Sequence, residues 1–357
     1  MKDVLADIER WRARGDRIAL ATVIATRKSA PRPVGSKLAV SDEGEMAGSV
    51  SGGCVETEVY GQACEILEGA TPQLLSYGIS DDEAFAVGLP CGGEIDVFVE
   101  TVPDELLDRL AEVVEADERA VLFTVVEGEA LGAALLVTEA GDRLGEGPEE
   151  LGERFDDVLR GGRNTLLELD SGARVFAEVL GPPPRLLVFG AVDTAEALCR
   201  AAKLIGWRTI VSDARGKFAT PERLPSADEL VVGWPDETLA RVQPDHQTAV
   251  VVLTHDERFD VPALRGALET EAFYVGALGS RRNQARRRER LLEEGVSEEQ
   301  LERISGPSGL DIGADTPAET ALSILAEILA VRAGRAGGKL KESKGRIHAD
   351  RPEPARR

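Results

Sequence analysis

The chain has 357 residues, of which 43% are apolar, 4% aromatic and 30% charged, with a formal net charge of −22. That apolar share supports packed cores and excludes wholesale disorder, while the length calls for two or three domains. Such acidity opposes extended contact with nucleic acid or an anionic membrane surface, because both depend on cationic neutralisation. A small anion held locally by a few arginines and backbone amides is still allowed.

The N-terminus MKDVLADIERW is charged throughout and places Val4, Leu5, Ile8 and Trp11 at helical spacing. This predicts an amphipathic helix over residues 1–14, not a signal peptide. No uninterrupted apolar run reaches the ~18–20 residues needed to cross a bilayer, so no membrane contact and a cytoplasmic location are expected. RIALATVIAT (17–26) predicts a strand, and SAPRPVGSK (29–37) a surface loop broken by two prolines and a glycine. KLAVSDEGEMAGSV has the form of a hairpin turning at Glu43-Gly44, and VETEVYGQACEILEG (55–69) follows as a helix. GLPCGGEIDVFVE (88–100) is a Gly/Pro loop running into an alternating strand.

Residues 101–180 read as a strand-rich α+β middle region: an acidic helix, then AVLFTVV, GAALLVT, NTLLELD and ARVFAEVL. They carry no chemistry of their own and suit a scaffold or an interface between protomers; a homo-oligomer is expected. GPPPR (181–185) predicts a linker, since three consecutive prolines continue neither a helix nor a central strand. Beyond it, RLLVFG, WRTIVSD, ELVVG, TAVVVLTH and AFYVGALG alternate with helical stretches, which implies a parallel sheet covered on both faces. A last helix over 316–332 starts with Thr316 as N-cap, Pro317 at the first position and Glu319 closing a capping box. From Gly334 the composition turns basic and poor in apolar residues, as in a flexible tail.

The fold class is therefore α/β, with an N-terminal α+β domain (1–100) and a C-terminal Rossmann-like domain with a parallel sheet (186–333). The middle region is 101–180, the linker 181–185 and the tail 334–357.

Two regions carry candidate chemistry. The four cysteines, Cys54, Cys64, Cys91 and Cys199, form no C-x-x-C pair, which argues against a thioredoxin-type motif or a structural zinc site. Cys64 and Cys199 lie in helical patterns as core filler, whereas Cys54 and Cys91 are flanked by glycine pairs. A thiol at a helix N-terminus has a lowered pKa and is the better ligand or nucleophile, and glycine-rich turns expose amides. In the second half, RLLVFGAVDTAEALCRAAKLIGWRTIVSDAR places Asp213 23 residues after Gly190, near the position of a ribose-binding carboxylate. The glycine fingerprint is broken, however: Val192 stands where a second glycine would admit a pyrophosphate. Asp193 suits the helix N-terminus as a capping residue and repels phosphate. The residues thus argue against NAD(P) or FAD. Gly190, Asp213 with Arg215, Thr254-His255-Asp256 and the loop through Gly279, Ser280, Arg281 and Arg282 should meet at the carboxyl ends of the strands. The last of these suits an anion or is merely a surface helix that begins with arginines.

In order along the chain, SAPRPVGSKLAV, GSVSGGCVE, LPCGGEIDVFVE, VVLTHDERFDVPAL, YVGALGSRR and GLDIGADTPAETALSILAEI resemble the xanthine dehydrogenase accessory factor family, also called XdhC/CoxI. The match covers about 17–100 and 185–332. The resemblance implies a maturation factor that binds the molybdenum cofactor (molybdopterin), assists its sulfuration and inserts it into a molybdenum hydroxylase of the xanthine or carbon monoxide dehydrogenase type. A chaperone is implied more than a catalyst, and no catalytic residue is assigned. Its partners would be the apo-hydroxylase and, for the sulfur, a cysteine desulfurase. The family motifs fall on Ser51, Gly52, Gly53, Cys54 and Glu56, on Cys91, Gly92 and Gly93, and on Gly190, Thr254, His255, Gly279, Ser280 and Arg281; Asp213 joins them from the residue reading. Cys54 and Cys91 are the candidate ligands to the molybdenum of a bound cofactor. G-A-V-D at 190–193 departs from the G-x-G of many relatives. The alternative is an NAD(P)-dependent oxidoreductase using the Rossmann-like half with His255 as acid/base, and a third reading is a purely structural module.

Overall fold

A computed structural model describes residues 1–27, 30–78, 93–254 and 256–343. Two compact units divide them, one built on Met1–Pro182 and one on Pro183–Glu342.

The first unit opens with α1 (Lys2–Arg12), whose Val4, Leu5, Ile8 and Trp11 are buried as their spacing predicts. The strands β1 (Ile18–Arg27), β2 (Lys37–Ser41) and β3 (Met46–Gly48) precede α2 (Glu56–Leu67), and β4 (Gln73–Tyr77) and β5 (Glu94–Thr101) follow it. They form an antiparallel sheet in the order β3-β2-β1-β5-β4. Next come α3 (Asp104–Glu115), β6 (Ala120–Glu127), β7 (Ala134–Thr138), β8 (Arg143–Gly145), α4 (Leu151–Gly161), β9 (Thr165–Glu168) and β10 (Arg174–Leu180). These give a second sheet in the order β8-β7-β6-β10-β9.

β1 is buried on both faces, which is why it reads as an unbroken apolar run. Ala19, Ala21 and Val23 pack with Val59 and Ala63 of α2. Leu20 faces Val4 and Ile8 of α1, and Ile24 meets Phe98, Val126 and Phe176 between the sheets. The sequence pattern did not disclose β4, β8 or α4. The first two are short edge strands, and α4 (LGERFDDVLRG) buries little beyond Leu151, Val158 and Leu159.

The second unit has the five expected strands among helices: β11 (Arg185–Phe189), α5 (Asp193–Leu204), β12 (Arg208–Ser212), β13 (Glu229–Val231), α6 (Pro235–Val242), β14 (Thr248–Val252), α7 (Glu257–Leu268), β15 (Tyr274–Ala277), α8 (Arg281–Glu293), α9 (Glu298–Glu302), β16 (Ile304–Ser305) and α10 (Pro317–Arg332), with α9 and β16 additional to that expectation. Every strand pair is parallel, in the order β13-β12-β11-β14-β15-β16. Strand order reverses between β11 and β14, the switch point at whose carboxyl ends folds of this kind gather their ligands. Helices cover both faces, one cluster joining Leu186 and Val188 to Ile324 and Ile328, the other joining Leu187 and Val250 to Ala263 and Leu264. α10 begins as its sequence predicts, Thr316 and Glu319 closing a capping box.

Candidate functional site

In the first unit the chain leaves β3 at Gly48 and must turn before α2. Gly52 and Gly53 take φ of 75° and 109°, conformations closed to most L residues, and a Cβ on either would meet nothing within 4 Å. The glycines thus serve the turn and leave open space beside it.

Glu56, the first residue of α2, folds back into this turn. Its Oε1 accepts from the Ser49 hydroxyl (2.7 Å) and from the amides of Val50 (3.2 Å) and Ser51 (2.8 Å). Its Oε2 accepts from the Gly53 amide (2.8 Å) and from the Ser51 hydroxyl. Ser51 Oγ in turn accepts from the amides of Cys54 and Val55, both at 2.9 Å, and Ser49 Oγ from that of Gly52 at 2.8 Å. Every N–H from Val50 to Val55 is therefore taken from within the loop. Burial works against the Glu56 charge, yet the hydroxyls of Ser49 and Ser51 and the Ser51 amide outweigh it and hold the pKa down at about 2.

This corrects the expectation that the glycine turn offers free amides to an anion. A carboxylate already fills that role. What the loop presents instead is the side chain of Cys54, a free, half-buried thiol that rests against the α2 core just ahead of the helix.

In the second unit Gly190 ends β11 with φ of 111°, and a Cβ there would lie 2.7 Å from Thr254 Cγ2. The Asp213 carboxylate reaches across from the end of β12. Its Oδ2 accepts from the Ala191 amide (3.0 Å) and Arg215 Nη2 (2.7 Å), and its Oδ1 from the Arg215 amide and Nε, both 2.9 Å. Burial opposes the charge, but Arg215 and these amides hold the Asp213 pKa below the usual carboxylate range. The first amide of the would-be phosphate turn is thus engaged by an acid. The N-cap of α5 is Val192, and Asp193 is the first helical residue, not the cap.

Thr254 at the end of β14 donates to Asp260 on α7, which pairs with Arg287 of α8 at 2.6 Å, both side chains about 95% buried. Arg287 also donates to the Leu278 carbonyl and to Gln284, which donates to the Ala277 carbonyl. This buried ion pair joins the carboxyl ends of β14 and β15. Gly279, Ser280 and Arg281 follow: Ser280 Oγ caps α8 by accepting from the Asn283 amide. Arg281 and Arg282 are exposed in a first turn that holds no acid.

Sequence reasoning missed Ser49, Asp260, Gln284 and Arg287. For Ser49 and Glu56 the signal was serines ahead of a helix-opening glutamate; for Asp260 and Arg287 no spacing along the chain indicates the pairing. It also missed Trp234, about half exposed beyond β13 and stacked on Phe259 with ring centroids 4.6 Å apart. Cys91, Gly92 and His255 lie outside the described residues, and Gly93 directly precedes β5. Among the described residues no group of three or more His, Cys, Asp or Glu is arranged to hold a metal ion, and no helix is long and apolar enough to cross a membrane.

Two family models match the chain: XdhC and CoxI family over residues 11–78, and XdhC Rossmann domain over residues 186–328. A relative from Bacillus subtilis, named as a probable xanthine dehydrogenase subunit, is 30% identical over 316 residues, spanning 88% of this chain and 92% of the relative. The molybdenum cofactor insertion chaperone PaoD of Escherichia coli is 27% identical, over 89% of this chain and 84% of its own. The crystal structure of a protein described as a xanthine dehydrogenase from Bacillus halodurans superposes with a TM-score of 0.67 at 25% identity, covering 95% of this chain and 97% of that one. The chain belongs to the XdhC and CoxI family.

Proposed function

We propose that this protein is a maturation factor that binds the molybdenum cofactor as cargo and assists its sulfuration and its insertion into a molybdenum hydroxylase. The observation that carries this reading is the Cys54 loop, in which all six amides are engaged internally and a half-buried thiol is left at the opening of α2. A loop pinned this way holds its thiol in one place. A thiolate is a soft ligand suited to a molybdenum centre, and the empty space beside Gly52 and Gly53 leaves room for one. The name borne by the PaoD relative supports the same class of cargo.

In this reading Cys54, with Cys91 in the same role, holds the metal. Ser51, Gly52, Gly53 and Glu56 fix the loop, and Gly93 ends its companion. In the second unit, taken by itself, the exposed Arg281 beside Gly279 and Ser280 offers charge to an anion, and Gly190, Asp213 and Thr254 stand at the strand ends, with His255 carried over from the family motif. The partners are an apo-hydroxylase and a cysteine desulfurase, and the setting is cytoplasmic. The engaged Ala191 amide weighs against a nicotinamide or flavin dinucleotide on the Gly190 turn.

The test is molybdenum and pterin analysis of the full chain after incubation with free cofactor. Near-stoichiometric molybdenum is expected, with C54S reduced by about tenfold or more in affinity, equivalent to about 1.4 kcal/mol. No bound molybdenum, or a C54S variant with unchanged affinity, overturns the proposal.

A further inference from the structure

The two sheets of the first unit repeat each other. Each module is a helix, three strands, a helix and two strands, and the sheet orders β3-β2-β1-β5-β4 and β8-β7-β6-β10-β9 are the same arrangement.

The likeness extends to details that shared topology alone does not require. The ladder between β1 and β5 is irregular between Val23 and Ala25, where Val23 pairs with Val97 and Ala25 with Asp96. The ladder between β6 and β10 is irregular at the same step: Val125 pairs with Val175 and Glu127 with Arg174. Opposite these steps, Val23 donates to the Ser36 carbonyl and accepts from the Gly35 amide; Val125 donates to the Ala133 carbonyl and accepts from the Gly132 amide.

The hairpins match as well. Ser41 Oγ accepts from the Glu45 amide, as Thr138 Oγ1 accepts from that of Asp142. Gly48 and Gly145 end their hairpins at φ of 83° and 95°, where a Cβ would overlap the carbonyl oxygen of Lys37 or Ala134 respectively. Between the sheets stand equivalent pairs, Thr22 with Thr124, Phe98 with Phe176 and Glu100 with Glu178, all buried.

The modules part at one place. From Gly48 the first runs through SVSGGC to the buried Val55; from Gly145 the second runs through EGPEE, one residue shorter, to the buried Leu151. The second segment has no cysteine, no serine and no glycine pair. Turns closed by the carbonyls of Pro148 and Glu149 replace the carboxylate that organises the first, and Arg143 fills the space beside Gly152.

We infer that the first unit is a tandem pair of one module and that residues 146–152 are the counterpart of the Cys54 loop, stripped of its thiol chemistry. Of the two equivalent loops only the first therefore carries a thiol, and the second module acts as the packing partner of the first. Repetition of an irregular ladder step is the strongest sign of a duplicated unit, because such irregularities are specific features of a fold. This inference stands apart from the cofactor reading, since it concerns where a reactive thiol can be housed, whatever that thiol binds.

The test grafts residues 49–56, SVSGGCVE, in place of 146–152 in the full chain carrying Cys54→Ser. Iodoacetamide labelling is followed by peptide mass spectrometry, with circular dichroism as the check on folding. The grafted cysteine is expected to alkylate within about tenfold of the rate of Cys54 in the parent. A folded graft whose cysteine reacts as slowly as the buried Cys199 overturns the inference. Should the graft not fold, the reciprocal exchange decides: EGPEELG in place of 49–56 is expected to leave a folded protein lacking the fast thiol, and failure of both exchanges overturns it.

Discussion

The two loops that open α2 and α4 occupy equivalent places in one scaffold and are held by different physics. The first is strung on a carboxylate: Glu56 and two serines absorb six amides, and the half-buried thiol of Cys54 takes no part in that network. The second is shorter, stiffened by Pro148, and its turns close on the backbone carbonyls of Pro148 and Glu149. The shared elements (the hairpin glycines, the irregular ladder, the Phe and Glu pairs) belong to folding. What distinguishes the first loop is then the best guide to chemistry, and the comparison isolates Ser49, Ser51, Gly52, Gly53, Cys54 and Glu56 without any catalytic assumption.

The same comparison singles out Lys37. Its counterpart is Ala134, so a single lysine lies beside the Glu100/Glu178 pair. Lys37 Nζ lies 2.9 Å from Glu178 Oε2 and 3.0 Å from Thr22 Oγ1. Removing it leaves the buried Glu178 with only the N-terminal ammonium, 3.8 Å away, and K37M is expected to cost about 3 kcal/mol in urea unfolding. A loss below about 1 kcal/mol would show that the asymmetry is incidental.

The two glutamates should then behave oppositely despite equivalent positions. Burial, reinforced by Glu178, pushes Glu100 up to about 8, with Lys37 only partly offsetting it. Glu178 is buried too, but Lys37 and the N-terminal ammonium hold it below the usual carboxylate range. Glu100 is raised above its unfolded value of about 4.3, so its contribution is fully present below that value and is lost as pH rises toward 8. The slope it imposes is at most about 1.4 kcal/mol per pH unit. Melts at pH 5 and pH 8 should show E100Q flattening this decline. E178Q, whose carboxylate contributes above its unfolded value, should be destabilised at pH 8. Equal behaviour of the two variants would contradict the placing of Lys37 and the N-terminal ammonium on Glu178.

Much of this architecture was legible. Alternation of short apolar strands with helices announced the parallel sheet, and Thr316, Pro317 and Glu319 marked the start of α10 because helix caps are local chemistry. The duplication was hidden: LAVSDEGEMAG and LLVTEAGDRLG align only once the sheet shows their shared turn. In the site, Cys54 and its glycines stood out by type and spacing. The use of the loop amides did not, because a glycine pair looks the same whether its N–H groups face a ligand or a folded-back glutamate. Likewise Asp213 sat at the expected place in the sequence, while its bond to the Ala191 amide depends on two strand ends meeting.

The smallest contrast separates the two loops directly. In E56Q one oxygen remains to accept, but the amide nitrogen put in place of the other cannot take the Gly53 N–H or the Ser51 hydroxyl. Because Glu56 is only partly buried, the loss is discounted for solvent to about 1–2 kcal/mol at pH 7. In the second loop P148A acts mainly through the freedom of the unfolded chain and should cost less than about 1 kcal/mol. Acid distinguishes the two further. With its folded pKa held at about 2, Glu56 contributes stability that is present above its unfolded value and lost as pH falls toward 2. The gap between E56Q and parent should therefore narrow between pH 7 and pH 3, while that of P148A stays constant. A P148A gap that also closes in acid would mean that one of the glutamates of the second loop organises it as Glu56 does the first, and the division between a chemically strung loop and a stiffened one would fall.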